Sequence, residues 1–331
     1  MNKPQKSLFL LGLAGLAAPF SASAAVLNVG SSGVVGGTYL GAETIRQSGD
    51  FNRGLLSSSQ GVRVGGAYGD YETDAASDRL FDSDYDVTSG SLGYIHEFDG
   101  FKLGASLTTV DTDFSSESTD TNEDVSFDTD GDGFFFALGA SKSWDKLEII
   151  LQGGAGELSL DSTRDNQFGQ KDSDYDVSLY FFSVTALYDL YRSETFGVKP
   201  FIELGYMSIE SDSFTEDGVA DNVSVDTFED EVPYILVGAD FEYLGFENAL
   251  PYLSLAVWSD LGDDSVEVEG ADVFEAPYEF ETPDAAETLL SATLGLGYAV
   301  TESLELDASV GVVSGDDVSG SFLALSGTFT F

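Results

Sequence analysis

Residues 290–300, Leu-Ser-Ala-Thr-Leu-Gly-Leu-Gly-Tyr-Ala-Val, decide the fold, because apolar side chains occupy every second position. The positions between them hold small or polar residues. A period of two places successive side chains on opposite faces of an extended chain, so this stretch predicts a β-strand with one apolar face. The same alternation returns in residues 103–108, 134–141 and 304–312.

Outward from this strand, alternation and turn residues predict twelve strands. Their predicted bounds are 61–71, 85–98, 101–111, 133–144, 147–160, 175–190, 199–210, 232–244, 250–261, 288–300, 304–314 and 320–331. Every second connection is tight, as at Asp99-Gly100, and Asp-Gly is typical of a β-hairpin because both residues accept positive φ. The other connections are long and acidic, above all 112–132, 211–231 and 262–287.

The composition excludes several classes of protein. The 331 residues include 59 acidic and 13 basic side chains, one His and no Cys, and the formal net charge is −46. Such a charge repels nucleic acid, so no nucleic-acid partner is expected. The absence of Cys excludes a disulfide scaffold and thiol catalysis. A hydrophobic content of 42% is too high for a disordered acidic polymer.

The N-terminus has the pattern of a secretory signal. Lys3 and Lys6 precede an apolar run at 8–20, and the small residues 21–24 follow it. The run is shorter than the roughly 20 residues that a transmembrane helix needs. We therefore predict a cleaved signal peptide at residues 1–24. No later stretch is long and apolar enough to span as a helix, so a membrane role requires a closed β-barrel.

The connections predict how such a barrel is oriented. Outer-membrane barrels have short periplasmic turns, longer external loops and an even number of strands. The chain is therefore predicted to be all-β, with residues 61–331 forming a single antiparallel up-and-down transmembrane β-barrel. The alternative, a soluble β-sandwich, does not require short turns on one side and long loops on the other. Tyr85, Tyr175 and Tyr234 open strands at the predicted outer interface of the membrane.

The C-terminus adds a resemblance. Leu323, Leu325, Gly327, Phe329 and Phe331 share one face of the last strand, and the chain ends on Phe331. In this feature the sequence resembles the Gram-negative outer-membrane β-barrel proteins of the porin-like superfamily. The resemblance implies that the barrel-assembly machinery reads Phe329 and Phe331. It also implies contact with outer-membrane lipid and lipopolysaccharide.

The inward faces of the predicted strands are mostly small at mid-height, which favours a lumen that is open or holds a plug. Charged inward residues gather near the periplasmic ends of the strands. They are Arg63, Lys102, Glu148, Glu203, Asp240, Glu242, Glu305 and Asp307. A net-negative ring favours cations, so it predicts cation selectivity. Alternatively, these carboxylates only hydrate the lumen or pair with the two basic residues.

Residues 25–60 precede the barrel and are rich in Gly and Ser. One hypothesis is that Arg46 and Arg53 dock on the carboxylate ring and make this segment a plug. The other is that the segment is a disordered periplasmic tail.

The acidic loops raise the question of metal binding. Asp128, Asp130 and Asp132 match the first half of an EF-hand loop, but the twelfth position is Gly139 instead of Glu. We expect at most a weak Ca²⁺ site there, and otherwise no cofactor beyond Ca²⁺ or Mg²⁺ bound to acidic loops. The only His, His96, lies near the periplasmic end of a strand, so Ser–His catalysis is not expected and the protein is predicted not to be an enzyme.

The leading functional prediction is a passive, cation-preferring channel for small solutes. One alternative is an autotransporter-type translocator barrel without a passenger, which the sequence resembles in strand number and terminal Phe. Against this alternative, residues 25–60 are too short for a secreted passenger. The other is a structural or adhesive surface protein with a closed lumen.

Overall fold

A computed structural model describes residues 31–73, 81–118, 125–166, 169–218, 223–262, 267–271, 277–281, 288–315 and 318–331. The predicted signal peptide lies outside these residues. One helix, α1 (Ser31–Ser57), precedes twelve long strands. The strands are β1 (Gly61–Thr73), β2 (Phe81–Phe98), β3 (Phe101–Ser118), β4 (Ser126–Trp144), β5 (Leu147–Asn166), β6 (Gly169–Tyr188), β7 (Phe196–Ser211), β8 (Phe228–Tyr243), β9 (Ala249–Asp260), β10 (Thr288–Ala299), β11 (Leu304–Ser314) and β12 (Val318–Thr330).

The twelve strands form a closed antiparallel barrel, as the sequence predicts. Each strand pairs with the next along the chain, and β12 returns to pair with β1. The closing register runs from Gly61 opposite Thr330 to Thr73 opposite Val318. Closure leaves neither terminal strand with an open edge, which a barrel in lipid requires because hydrocarbon offers no hydrogen-bond partners.

The tight turns gather at one end of the barrel. Asp99 and Gly100 have φ of 42° and 76°, and Asp145 has φ of 51°. These left-handed conformations match the twist of the strands that they join. By the general rule for such barrels, we assign this turn end to the periplasm and the opposite, loop end to the cell exterior.

The outer face carries a broad apolar band. Leu294 is 60% exposed, Val312 58% and Leu138 53%, and each alternates with an inward neighbour. So many large apolar side chains facing outward are stable only against hydrocarbon. The predicted alternation and its assignment to the lipid side are confirmed. Among the described residues no helix is both long and apolar enough to cross a membrane.

The strands extend further than predicted at the loop end. β3 continues to Ser118 and β4 begins at Ser126, so the prediction that 112–132 is one long loop is wrong. The reason is that the outward residues change from apolar to acidic while the alternation of inward and outward side chains continues. Phe114 and Phe127 point inward and are 3% exposed, while the residues that alternate with them on the outer face are acidic, as at Asp113 and Asp128. Beyond the apolar band, Asp takes the place of Leu on the outer face, and the hydrogen-bonded pairing of the strands continues.

The prediction of an outer girdle at Tyr85, Tyr175 and Tyr234 is also wrong. Their side chains are 3%, 6% and 7% exposed and lie inside the barrel. Each lies on the inward-facing set of alternating residues of its strand, as Tyr234 does with Leu236. Aromatic residues that do face outward in the loop-end half of the barrel include Tyr68, Phe134 and Tyr206.

Apolar side chains close the lumen towards the loop end in what we name the apolar collar. Each of the twelve strands contributes a buried residue to this collar, and all twelve belong to one connected cluster. They are Tyr71, Val87, Val110, Phe135, Leu158, Leu179, Ile209, Leu236, Trp258, Leu289, Val313 and Phe322. Some rings lie across a glycine directly opposite on the next strand, as Phe322 does on Gly311. A side chain at such a glycine would collide with the ring.

Short strands extend the structure beyond the loop end. Phe214–Thr215, Ser224–Val225, Glu267–Ala271 and Pro277–Glu281 form a separate four-stranded sheet. Asp217–Gly218 pairs with the beginning of β6. The connections predicted as long loops therefore hold structure of their own.

Candidate functional site

The lumen holds α1, and the direction of the helix is defined by its contacts. Near the N-terminal end, the ring of Tyr39 stacks on Tyr85, with centroids 5.3 Å apart. Near the C-terminal end, the Lys102 ammonium donates a 2.7 Å hydrogen bond to the carbonyl of Ser58, the residue after α1. Tyr85 lies towards the loop end and Lys102 next to a tight turn. The helix therefore runs through the lumen from the loop end to the turn end.

Small residues on one wall of the barrel let α1 approach closely. The helix lies against β1–β7, most extensively against β2–β5. A Cβ atom at Gly93 would come within 2.6 Å of the Leu55 side chain, and one at Gly104 within 3.0 Å of Leu56. Hydrogen bonds complete the contact, since Ser106 donates to Asn52 at 3.3 Å. The small inward residues therefore make room for a helix.

Arg53 anchors α1 to the opposite side of the lumen. Its guanidinium donates to Glu203 of β7 at 2.7 Å and also pairs with Asp50 on its own helix. Glu203 is 3% exposed and accepts two more hydrogen bonds, from Thr185 at 2.5 Å and Tyr234 at 2.8 Å. Three donors on one buried carboxylate make this a well-satisfied ion pair, which is the condition under which a buried pair is tolerated.

Arg46 has different partners. It pairs with Glu43 and, at 3.3 Å, with Asp50, both on α1. It also donates to the Tyr71 hydroxyl at 2.8 Å, and this hydroxyl in turn donates to Glu43 at 2.8 Å. Arg46 therefore lies among residues of its own helix and β1, away from the predicted ring. Glu43, Asp50 and Tyr71 were missed by the sequence reasoning, although Arg46 and Arg53 each follow an acid by three positions, a helical spacing.

The remaining ring residues all lie inside the barrel near the turn end. Lys199 donates to Glu242 at 2.5 Å, and Arg192 lies 3.9 Å from the same carboxylate. Asp240 lies directly opposite Lys199 in the register of β7 and β8. The Lys102 ammonium and the Glu148 carboxylate interact electrostatically across the lumen wall.

A second group surrounds Arg63 on β1. Its guanidinium lies over the Phe51 ring of α1, 5.6 Å from the ring centroid, and near Glu305 and Asp307. The Tyr252 hydroxyl donates to Asp307 at 3.3 Å. The structure thus brings together the eight predicted ring residues around the lumen, with Arg63 and Lys199 among the carboxylates.

One wall of the lumen carries polar side chains that lack partners. The side-chain oxygens of Asp240, Ser254, Thr293, Ser309 and Ser326, and one carboxylate oxygen of Asp307, form no hydrogen bond within the described part of the chain. These six residues are at least nine-tenths buried. They lie on β8–β12, the strands that α1 does not cover, and we name them the polar wall. Buried polar atoms of this kind are normally satisfied by ordered water.

The predicted metal residues Asp128, Asp130 and Asp132 lie on the outer face of β4, above the apolar band. They occupy a strand instead of a loop, which prevents an EF-hand turn. Among the described residues no group of three or more His, Asp or Glu side chains is arranged to hold a metal ion.

Acidic residues nevertheless form a row across the outer face. Six aspartates oppose one another in direct register on six neighbouring strands; they are Asp70, Asp86, Asp113, Asp130, Asp161 and Asp174. Above the apolar band, a hydrogen bond to the facing Asp130 raises the pKa of Asp113. A bond to Asp174 likewise raises the pKa of Asp161. Like charges directly opposite across strands are destabilising, so this row weakens the sheet unless salt or protons reduce its charge.

Phe329 and Phe331 point outward at the turn end, 52% and 67% exposed. His96 also faces outward near this end, and its ring lies 3.2 Å from the Tyr94 hydroxyl. These positions are away from the lumen.

Comparisons with known proteins place this architecture among outer-membrane barrels. The pattern of the autotransporter beta-domain matches residues 29–311. The chain is similar in structure to the translocator domain of the autotransporter NalP from Neisseria meningitidis, with 15% identity, a TM-score of 0.66, and coverage of 86% of this chain and 94% of that chain. It is also similar to the transport unit of the autotransporter AIDA-I from Escherichia coli, with 11% identity, a TM-score of 0.58, and coverage of 82% of this chain and 91% of that chain. A third similar structure is the toluene transporter TodX from Pseudomonas putida, with 12% identity, a TM-score of 0.52, and coverage of 85% of this chain and 92% of that chain. No curated protein sequence matches the chain.

Proposed function

Because the chain belongs to the autotransporter beta-domain family, a fold of the Gram-negative outer membrane, we propose that it is a translocator-type barrel. In this proposal the barrel carries the segment N-terminal to Ser31 through its lumen to the cell surface. It then retains α1 as a resident plug.

The direction of α1 is the observation that carries the proposal. The helix begins at the loop end and finishes at the turn end, where β1 starts. Any segment that precedes α1 is therefore attached at the loop end, which the connection lengths assign to the cell exterior. A segment made in the cytoplasm reaches that position only by crossing the membrane, and the barrel lumen offers the route.

The cation-preferring channel, the leading prediction from the sequence, has less support. α1 lies along the lumen, and the apolar collar surrounds its N-terminal half. Ions cross an apolar constriction poorly because water drains from it. The ring carboxylates that suggested selectivity are in part committed to ion pairs with α1 and with Lys199.

The outer surface supports two partners. The apolar band fits membrane lipid. We expect the barrel-assembly machinery to recognise the last strand through Phe329 and Phe331, whose rings face outward at the periplasmic end.

Cysteine labelling in intact cells tests the proposal, and the absence of native Cys removes background. The test variant is Asn28→Cys, upstream of α1. The matched controls are Asp226→Cys beyond the loop end and Ser303→Cys at a tight turn. The reagent is a maleimide attached to a polymer too large for the pores of the outer membrane. Asn28→Cys should react as fast as Asp226→Cys. If it reacts only after the outer membrane is permeabilised, as Ser303→Cys should, the segment is periplasmic and the proposal is wrong.

A further inference from the structure

One basic side chain on the wall of the barrel faces outward. In the described strands this residue is Lys142 of β4, which is exposed, whereas its neighbour Ser141 is buried. The other basic residues of the twelve strands face the lumen; they are Arg63, Lys102, Arg164, Lys171 and Lys199. Although the chain carries a net charge of −46, no carboxylate of the described part lies within ion-pair distance of Lys142.

The height of Lys142 on the wall coincides with the turn-side edge of the apolar band. The outward residues of β4 run from Asp132 through Phe134, Phe136, Leu138 and Ala140 to Lys142. At about 3.3 Å per residue, Asp132 and Lys142 are about 33 Å apart along the strand. With a strand tilt of about 40°, this corresponds to about 25 Å along the membrane normal, the usual height of the apolar band. Lys142 therefore lies at the level of the lipid headgroups on the turn side.

The side chains around Lys142 are apolar and face the lipid. Its Nζ atom lies 5.3 Å from the centroid of the Trp144 ring, and Trp144 is 49% exposed. Lys142 lies directly opposite Phe101 on β3, and Trp144 lies opposite Leu147 on β5. Both of these neighbours are exposed as well. Low-dielectric surroundings of this kind strengthen the attraction between the ammonium and an anion.

We propose that Lys142 and Trp144 form a binding site for the headgroup of an anionic phospholipid in the periplasmic leaflet. The ammonium pairs with the lipid phosphate, and the indole N–H donates to a phosphate or ester oxygen. An anionic lipid is preferred because a zwitterionic headgroup carries its own cation beside the phosphate. Lys146, exposed at the adjoining turn, offsets the charge of Asp145, so this end of the hairpin remains positive. The site lies on the outer surface and does not depend on translocation of the N-terminal segment.

Tryptophan fluorescence tests the proposal, because the two Trp residues of the chain lie in opposite positions. Trp144 faces the lipid, whereas Trp258 is 3% exposed inside the barrel. The full chain is refolded in phosphatidylcholine vesicles that contain a small, fixed fraction of phosphatidylglycerol. Bromine atoms near the headgroup end of the acyl chains quench indole fluorescence on contact. They are carried either by the phosphatidylglycerol or by an equal fraction of the phosphatidylcholine. Trp144→Phe gives the background from Trp258, which is subtracted.

We expect brominated phosphatidylglycerol to occupy the position beside Trp144 about fivefold more often than brominated phosphatidylcholine at the same mole fraction. Lys142→Gln should abolish this preference, and Lys142→Arg should retain most of it because the charge remains. Arg192→Gln is the matched control. It removes another exposed positive charge at the turn end, one that lies near Asp189 and Glu242, and should leave the preference unchanged.

Equal quenching of the parent chain by the two brominated lipids would overturn the proposal, because no anionic lipid would then be enriched beside Trp144. A preference that survives in Lys142→Gln would do so as well. If Arg192→Gln loses the preference to the same extent as Lys142→Gln, the effect arises from overall charge and the site does not exist. A shift in gel mobility on heating verifies that each variant is a folded barrel before its fluorescence is measured.

Discussion

Replacing Arg53 with Met should loosen α1 without dismantling the barrel. The substitution keeps a long apolar stem and removes the guanidinium that binds Glu203 and Asp50. Both carboxylates then remain in the lumen with one donor fewer. Breaking a buried ion pair from one side costs about 3 to 5 kcal/mol. Because about 1.4 kcal/mol corresponds to a factor of ten, the population of undocked helix should rise by roughly two to three and a half orders of magnitude.

Native-state hydrogen exchange measures that population directly. Amides of α1 exchange when the helix opens locally, while amides of the barrel strands report on global unfolding. We expect exchange from α1 to accelerate by the factor above and exchange from β2–β5 to change much less. Arg192→Met is the control, because its guanidinium is 35% exposed and lies 3.8 Å or more from its carboxylates. An exposed pair contributes about 0 to 1 kcal/mol, so this variant should behave like the parent.

A double variant then tests whether the effect arises from the Arg53–Glu203 pair. Arg53→Met combined with Glu203→Gln leaves a neutral amide whose oxygen accepts from one of the two hydroxyls, Thr185 or Tyr234, and whose NH2 group can donate to the other. The double variant should therefore recover at least one order of magnitude in α1 protection relative to Arg53→Met. If Arg53→Met exchanges within threefold of the parent chain, the ion pair does not hold the helix and this reasoning is refuted.

Further predictions concern the lumen, the outer face and the core. Deleting residues 31–57 should produce steady ion currents in planar bilayers where the full chain shows none, since the collar loses its centre; equal currents would contradict the assignment of α1 as a plug. Asp130→Asn should raise the melting temperature at low salt and lose most of this effect in 1 M NaCl, where the Debye length is about 3 Å. Because folding raises the pKa of Asp113, the native barrel holds its proton more tightly than the unfolded chain, so stability should fall as pH rises through the raised pKa; acid titration of the melting temperature checks the sign. Gly295→Val should destabilise the barrel by about 1 to 3 kcal/mol in urea, because the ring of Tyr252 lies across this glycine, and Gly90→Val on the open outer face is the control.

The barrel was predictable from the sequence because its determinants are local. Period-two alternation, Asp-Gly turns and unequal connections are each readable within about ten residues, as in 290–300 and at Asp99-Gly100. The ends of the strands were less predictable. At Asp128 the outer face changes from apolar to acidic while Phe127 and Thr129 continue the inward pattern, so a search for apolar outward residues stops too early.

The arrangement of side chains inside the lumen depends on contacts between residues that are distant in the sequence. Such contacts could not be predicted from local patterns. The alternation of inward and outward positions along each strand was enough to predict that the ring carboxylates lie inside the barrel, and in the structure they do. Which of them binds α1 depends on the position of the helix, and Glu203 is the one that forms an ion pair with Arg53. Tyr234, which completes that site, was assigned to the membrane interface. Its parity agrees with that of Leu236 and Gly238, so the inward assignment was available from the strand.

The composition of α1 explains why the helix itself escaped prediction. Its 27 residues include six glycines. Glycine in a helix interior costs about 1 kcal/mol relative to alanine, so the segment forgoes roughly 6 kcal/mol of helix stability. Some of these glycines lie where the barrel approaches closely: a Cβ at Gly41 would come within 2.8 Å of Leu179, and one at Gly54 within 3.1 Å of Arg63. Residues that disfavour an isolated helix are thus the ones that fit this helix to its wall. Packing inside the barrel therefore supplies the stability that the composition of the helix lacks. Under the proposed translocation, the same segment would be able to remain extended while it passes through the lumen.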